Sequence, residues 1–406
     1  MKRKILALVL AATLAIGLTA CGGSGEEAAN EAISETTEEG AEPSDTEGGT
    51  IVFGVGATLT GNNALNGEYV KNGAQLAADQ LNAAGGVIGK QVELVFADEG
   101  DDQQTAINAC QKLLATENLS GFFAGLSSSY ALAMIPYVNE AEIPFMVGGS
   151  SANVRAEQSE YAWQPRLLDV NSANVMAKAA TEILEMKNPA ILYVNESFGI
   201  SCYEGVEASL KEKYDIDPAI VISYNANETQ FSNMLSQILS SGADGLIAIT
   251  TVPMDAATIM SQTADMGFDI PCLGSSGFSN SSARTTAGAK SNGWYCVTDF
   301  SPSCVHESGV AFNEAYVEAY GEASDISAAD SYDAIMLLAK AAEEAGSADP
   351  AAINEALANV SAYDGALSEG MKCDPETHTF AQGLVLCLNE NDGADCTVVE
   401  SVNIYE

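Results

Sequence analysis

Basic residues are scarce in this chain: 406 residues carry 16 Lys and Arg against 56 Asp and Glu, a formal net charge of −40. Phosphate backbones are held by clustered Lys and Arg, so nucleic acid is excluded as a partner, and a basic membrane-docking face with it. Histidine is limited to His306 and His378, and no two cysteines are spaced as CxxC. A zinc site is therefore not expected, and no other metal or cofactor is implied. GxSxG elbows, HExxH helices and Walker phosphate loops are all missing, which removes the best-marked enzyme classes. His306 has no matched nucleophile, and His378 sits in an apparent turn, Asp374-Pro375-Glu376-Thr377-His378. The chain is read as a non-enzyme. After Leu18 no apolar run is long enough to span a bilayer, so the second membrane segment usual in a signalling receptor is not expected.

The N-terminus carries the clearest motif. Lys2, Arg3 and Lys4 precede an apolar run over residues 5–18, which closes on Leu18-Thr19-Ala20-Cys21. A positive start, a short apolar core and small residues before a cysteine are the pattern of a bacterial lipoprotein signal. Residues 1–20 are then the signal, and Cys21 is the lipidated first residue of the mature chain. Residues 22–50 hold nine acidic residues and no Lys, Arg or aromatic side chain. Such a composition buries too little apolar surface to offset its ordering entropy, and predicts a disordered tether. The expected location is the outer face of the cell membrane.

Residues 51–406 have the composition of a globular protein long enough for two domains. Short apolar runs recur at 51–55, 92–97, 121–124 and 145–147, separated by amphipathic stretches such as 70–82. A second series has strands at 190–194, 219–222, 245–249 and 271–274, with helices at 172–185, 230–239 and 255–266. Apolar strands without polar alternation, each followed by a helix, predict parallel sheets covered on both faces: an α/β architecture twice over. A strand at 294–298, helices at 307–320 and 329–344, and a C-terminal hairpin follow. Those late helices fit the first sheet better than the second, which implies a chain that crosses between domains more than once around a cleft.

Eight cysteines follow Cys21. Disulfides and buried free thiols both remain open for an exported chain. Asn391-Asp392-Gly393 reads as a hairpin turn. Centred between Asn391 and Asp392, it sets Cys387 opposite Cys396.

Ligands of open parallel sheets sit beyond the carboxyl ends of the strands, where helix N-termini present free amides. Ser127-Ser128-Ser129, Gly148-Gly149-Ser150-Ser151 and Ser275-Ser276-Gly277 each follow a predicted strand. Hydroxyls at a helix start suit an anion, and equally suit plain N-capping.

Taken together, certain segments resemble the leucine/isoleucine/valine-binding proteins, the type I periplasmic solute-binding proteins of ABC importers. They are Val55-Gly56-Ala57-Thr58-Leu59-Thr60-Gly61, Gly85-Gly86-Val87-Ile88-Gly89, Ile143-Pro144-Phe145, Phe198-Gly199 and Ser331-Tyr332-Asp333-Ala334. The resemblance runs from about Ile51 to the C-terminus. It implies two Rossmann-like doubly wound lobes, 51–168 with 300–381 and 169–299 with 382–406, joined by a three-crossover hinge. It further implies a monomer, working with permease and ATPase subunits, that closes on an amino acid or a related small carboxylate or amide. By matching position, Ser127, Ser128, Gly149, Ser150 and Ser151 resemble the carboxylate-holding segment, and Phe198 an aromatic that covers the ligand. Ser276 stands where amino-acid binders of the family carry an acid, and Val252 where they carry a tyrosine. Asp330 and Tyr332 complete the candidate ligand-binding set, with Asp255 or Asp330 as alternative sources of negative charge. These departures make a carboxylate ligand without a standard α-amino group a second expectation. A ligand-sensing receptor and a secreted enzyme are the competing functions.

Overall fold

The protein is described here by a computed structural model covering residues 49–404. The signal motif, Cys21 and residues 22–48 of the expected tether lie outside the described residues.

Two sheets organise the chain. The first is parallel, in the order β2-β1-β3-β4-β5, from β1 (Thr50–Ala57), β2 (Gln91–Asp98), β3 (Leu119–Ala124), β4 (Phe145–Val147) and β5 (Ala162–Trp163). The second has seven strands: β6 (Ala190–Val194), β7 (Ile220–Tyr224), β8 (Leu246–Ile249), β9 (Cys272–Gly274), β10 (Tyr295–Thr298), β11 (Gly383–Glu390) and β12 (Asp395–Asn403). Their order is β12-β11-β10-β9-β8-β6-β7, parallel except for the antiparallel β11 and β12. All eight residues of β1 but Thr50 are buried, as are all of β3 and β8. A strand buried on both faces gains nothing from polar alternation, which is why these runs are continuously apolar.

Glycines bring helices against strand ends. A Cβ on Gly67 would stand 1.8 Å from the Thr58 carbonyl oxygen, and one on Gly199 would stand 1.9 Å from that of Val194. Only glycine lets the helices Ala64–Ala83 and Ser197–Tyr214 press onto the ends of β1 and β6 this closely. Both helices thereby start at the mouth between the sheets.

The chain passes between the sheets three times. It leaves β5 for the helix Asp169–Lys178, which packs on the helix Ser197–Tyr214 beside the second sheet. It leaves β10 for the helices Glu307–Tyr320 and Ile326–Ala345, and the latter lies along Ala64–Ala83 on the first sheet. It returns ahead of β11. The crossings run side by side: Phe380 and Ala381 donate their amides to the carbonyls of Gln164 and Pro165. Arg166 of the first crossing and Asp299 of the second form a buried ion pair.

The C-terminal hairpin corrects one expectation. Cys387 faces Val398 and Cys396 faces Asn389, because the turn centres between Asp392 and Gly393, one residue later than expected. Cys396 Sγ lies 3.8 Å from Cys296 Sγ of β10 and also meets the Cys387 thiol, and Cys296 itself faces Cys387. Three buried thiols thus share one pocket of the second lobe. Among the described residues no helix is long and apolar enough to cross a membrane.

Candidate functional site

A cleft of about 70 Å³ lies between the lobes. The first lobe contributes Thr58, Asn63, Asn66, Gly100, Asp101, Leu126, Ser127 and Tyr130 to its wall, and the second contributes Glu196, Ala226, Asn227, Thr251, Val252 and Pro253.

Four of these residues are helix N-caps. Asn63 precedes Ala64–Ala83, Ser127 precedes Ser128–Ala141, Glu196 precedes Ser197–Tyr214 and Val252 precedes Pro253–Asp265. None of the four makes a side-chain capping bond. Asp102, Ser151, Asn280, His306, Asp325 and Asp349 cap their helices with side-chain acceptors and none of these lines the cavity, while Leu168 and Phe231 leave two helices uncapped away from it. Helix N-termini carry amides without intrahelical partners and the positive end of the helix dipole. Four such ends meet on one cavity from both lobes, the chemistry that accepts an anion, although the Ser197 amide is already given to Ser129 Oγ at 3.2 Å and Pro253 has none to give.

Negative charge is present as well. Glu196 and Asp101 line opposite walls, and no Lys, Arg or His lines either. Burial raises the Glu196 carboxyl above its usual range. Burial first, then the charges of Glu196 and Asp101, hold the nearby Tyr130 phenol well above its ordinary value. Asp101 accepts from the Asn62 amide and, at 3.0 Å, from Asn63 Nδ2. Asn63 Oδ1 is left buried and without a partner in the cavity wall. A ligand cation fits the Glu196 side of the cavity, just as an anion fits the helix ends.

Of the ten candidate ligand-binding residues, Ser127 and Val252 line the cavity. The serine-rich segment around them forms a seam instead. Ser128 Oγ accepts from the Ser151 amide at 3.1 Å, and the Gly149 carbonyl accepts from Gln164 Nε2 at 2.7 Å. A Cβ on Gly149 would stand 2.6 Å from Ser128 Oγ, so glycine is required for this packing. Ser151 Oγ accepts from the Asn153 amide and from Ser197 Oγ of the other lobe, at 3.3 and 3.0 Å. The Ser150 carbonyl accepts from the Asp169 amide at 2.8 Å, while its hydroxyl is buried.

The remaining four stand back from the cavity. Phe198 is packed in the core, and Ser276 uses its carbonyl to accept from Ser279. Tyr332 donates its hydroxyl to Gln80 Oε1 at 2.6 Å, and Asp330 is buried beside the Arg166 crossing. Asp255 also lies behind the wall, accepting from the Asn227 amide at 3.2 Å, with its carboxyl pushed by burial to about 7. Two acids do reach the cavity, Asp101 and Glu196, and neither is among the candidate ligand-binding residues; the signal for Glu196 is the weaker. Its one sequence signal is position, two residues past the end of β6 and immediately before a helix.

The lobes also meet on the other side of the cavity. Asn280 Nδ2 donates to Asn66 Oδ1 at 2.6 Å and to Ser327 Oγ at 3.2 Å, and Tyr69 donates to Ser281 Oγ at 3.0 Å. Two doubly wound lobes on three crossings, closed over a cavity walled by helix N-termini, define a two-lobed solute receptor of the type I periplasmic-binding class. The chain belongs to the periplasmic binding protein family, whose model matches residues 50–392. A Leu/Ile/Val-binding protein homolog of Brucella abortus (strain 2308) is 26% identical over 332 residues, covering 77% of this chain and 82% of that protein. Among solved structures, a leucine-binding protein of Thermotoga maritima superposes with a TM-score of 0.80 at 21% identity, over 88% of this chain and 99% of that one. A solute-binding protein of an ABC transporter from R. palustris, in complex with benzoate, gives 0.79 at 19% identity, over 87% and 96%.

Proposed function

We propose that the protein is the lipid-anchored, extracytoplasmic substrate-binding protein of an ABC importer, and that its solute is an amino acid. Four uncapped helix N-termini around one interlobe cavity carry this reading, since they supply donors for a carboxylate from both walls. Ser127 would add its hydroxyl to those amides, and Glu196 would pair with the α-ammonium. The relatives support the class of solute, as one is named for leucine, isoleucine and valine and another for leucine. A solute touching both walls stabilises the closed arrangement by the contacts it makes only there. The closed form is then what the permease and ATPase subunits recognise. The protein acts as a monomer, without cofactor and without turnover.

A small carboxylate lacking an α-amino group is the second reading. It is favoured by Ser276 and Val252 standing at the positions noted above, and by the benzoate complex of one structural neighbour. A thermal-shift screen separates the two. A tight ligand at a hundred times its Kd stabilises the protein by about 2.7 kcal/mol. Stabilisation by branched-chain amino acids is expected; stabilisation by benzoate alone selects the second reading, and turnover of any compound overturns both.

A further inference from the structure

Asp330 lies in the first turns of the helix Ile326–Ala345, fully buried, and neither carboxylate oxygen has a hydrogen-bond partner. The charged groups around it are few. Arg166 faces it from the first crossing and Asp299 from the second, while Asp333 faces it from its own helix. Arg166 is already committed to Asp299 and is drawn on by Asp169 as well. Asp333 is satisfied separately by the amides of Ala366 and Leu367, each at 2.8 Å. An ionised Asp330 therefore has no cation of its own in the closed protein. Water does not reach it either.

Buried carboxyls of this kind retain a proton, because desolvation penalises the charged form. The group sits beside the connections between the lobes: Arg166 and Asp299 are on two of the three crossings, and Asp330 is on a helix of the first lobe. We infer that closure of the cleft is coupled to proton uptake, the proton residing on the Asp330 carboxyl and leaving to solvent when the hinge opens. The inference rests on the closing-receptor reading but is indifferent to the identity of the solute.

The sign follows from linkage. The closed form binds the proton more tightly than the open form, so acid favours closure, and the advantage is lost as pH rises through the closed-state value. The closed-to-open ratio changes by up to about tenfold per pH unit within that window.

Small-angle scattering of the solute-free protein tests this between about pH 5 and about pH 8. The radius of gyration of the wild type should increase as pH rises. Asp330→Asn should lose that response, whereas Glu99→Gln, which removes a buried acid held inside the first lobe by the Gly125 amide, should retain it. Infrared difference spectra between wild type and Asp330→Asn should also show one protonated-carboxyl band that the variant lacks. A pH-independent wild-type radius, an unchanged response in Asp330→Asn, or the absence of the infrared difference would each overturn the proposal. Because no solute is added, failure to find a ligand leaves this test intact.

Discussion

Asn280 Nδ2 of the second lobe donates to Asn66 Oδ1 of the first across 2.6 Å, in a buried contact on the rim of the cavity. The same amide reaches Ser327 Oγ, while Asn280 Oδ1 caps the helix Ser281–Ala287 through the Ser282 amide. One side chain thus fastens the lobes together and starts a helix. Removing a buried hydrogen bond costs roughly 1–3 kcal/mol. Asn280→Ala should raise solute dissociation about tenfold or more, measured by stopped-flow release. Unchanged dissociation would show that the rim contact is not part of the closed-state energy.

Charge at the cavity leads to a prediction about selectivity. Ser127→Ala should weaken every carboxylate ligand, with a loss of about 1–3 kcal/mol set by one charge-assisted hydrogen bond. Glu196→Gln should weaken zwitterions far more than simple carboxylates, because only the former lose a partner. Titration calorimetry with isoleucine and benzoate reads both effects. Equal losses for the two ligands in Glu196→Gln would remove the ammonium role.

Stability should depend on pH through the buried acids. Burial raises Glu99 from 4.5 to about 7 against the opposing Gly125 amide, which donates to Oε1 at 2.7 Å. A carboxyl raised in the folded state binds its proton more tightly there, so it stabilises the fold fully below its unfolded value. That contribution is lost as pH rises from about 4.5 through about 7. At 1.36 kcal/mol per unit, Glu99 alone is worth on the order of 3 kcal/mol. Asp333 and Asp255, each also near 7, act in the same direction. The Tm should be higher near pH 5 than near pH 8, and Glu99→Gln should flatten the curve. A Tm that rises with pH would contradict this placement of the acids.

Cysteine pairing is directly checkable. With Cys387 facing Val398 and Cys396 Sγ 3.8 Å from Cys296 Sγ, oxidation should join Cys296 to Cys396 and leave Cys387 reduced. Peptide mapping under non-reducing conditions distinguishes this from a Cys387–Cys396 link. It would also tie the edge strand β12 to β10, so reduction should lower the Tm.

Strand runs were legible because they are locally encoded. The run 51–55 falls within β1, 121–124 within β3, and 145–147 is β4; the helix 307–320 matches its observed bounds. Helix starts were read less well: the stretch 70–82 belongs to a helix that begins at Ala64, and 172–185 ends in a wide turn over Ala179–Ile183. Hydrophobic periodicity marks the buried face of an element and says little about its polar first turn. The two-residue β5 carries too few residues for any period.

The candidate site was legible only in part, and for a similar reason. Serine after a strand signals a helix start, but a helix start faces the cavity at Ser127 and a neighbouring backbone at Ser128 and Ser151. Which of the two occurs depends on residues distant in sequence: Ser151 for Ser128, and the second-lobe wall from Glu196 to Pro253 for Ser127.

By itself, then, the amino-acid order determined the apolar N-terminal run closing on Cys21, the acidic stretch behind it, and two series of strands and helices. Composition and local period suffice for those. Only the tertiary structure decided that Glu196 faces the cavity while Ser276 and Asp255 do not, that Asp330 is sealed beside Arg166, and that Cys396 meets Cys296. Each of these depends on the angle at which lobes, crossings or bulged strands pack. Those angles come from the sum of many buried contacts and leave no mark on any single stretch of sequence.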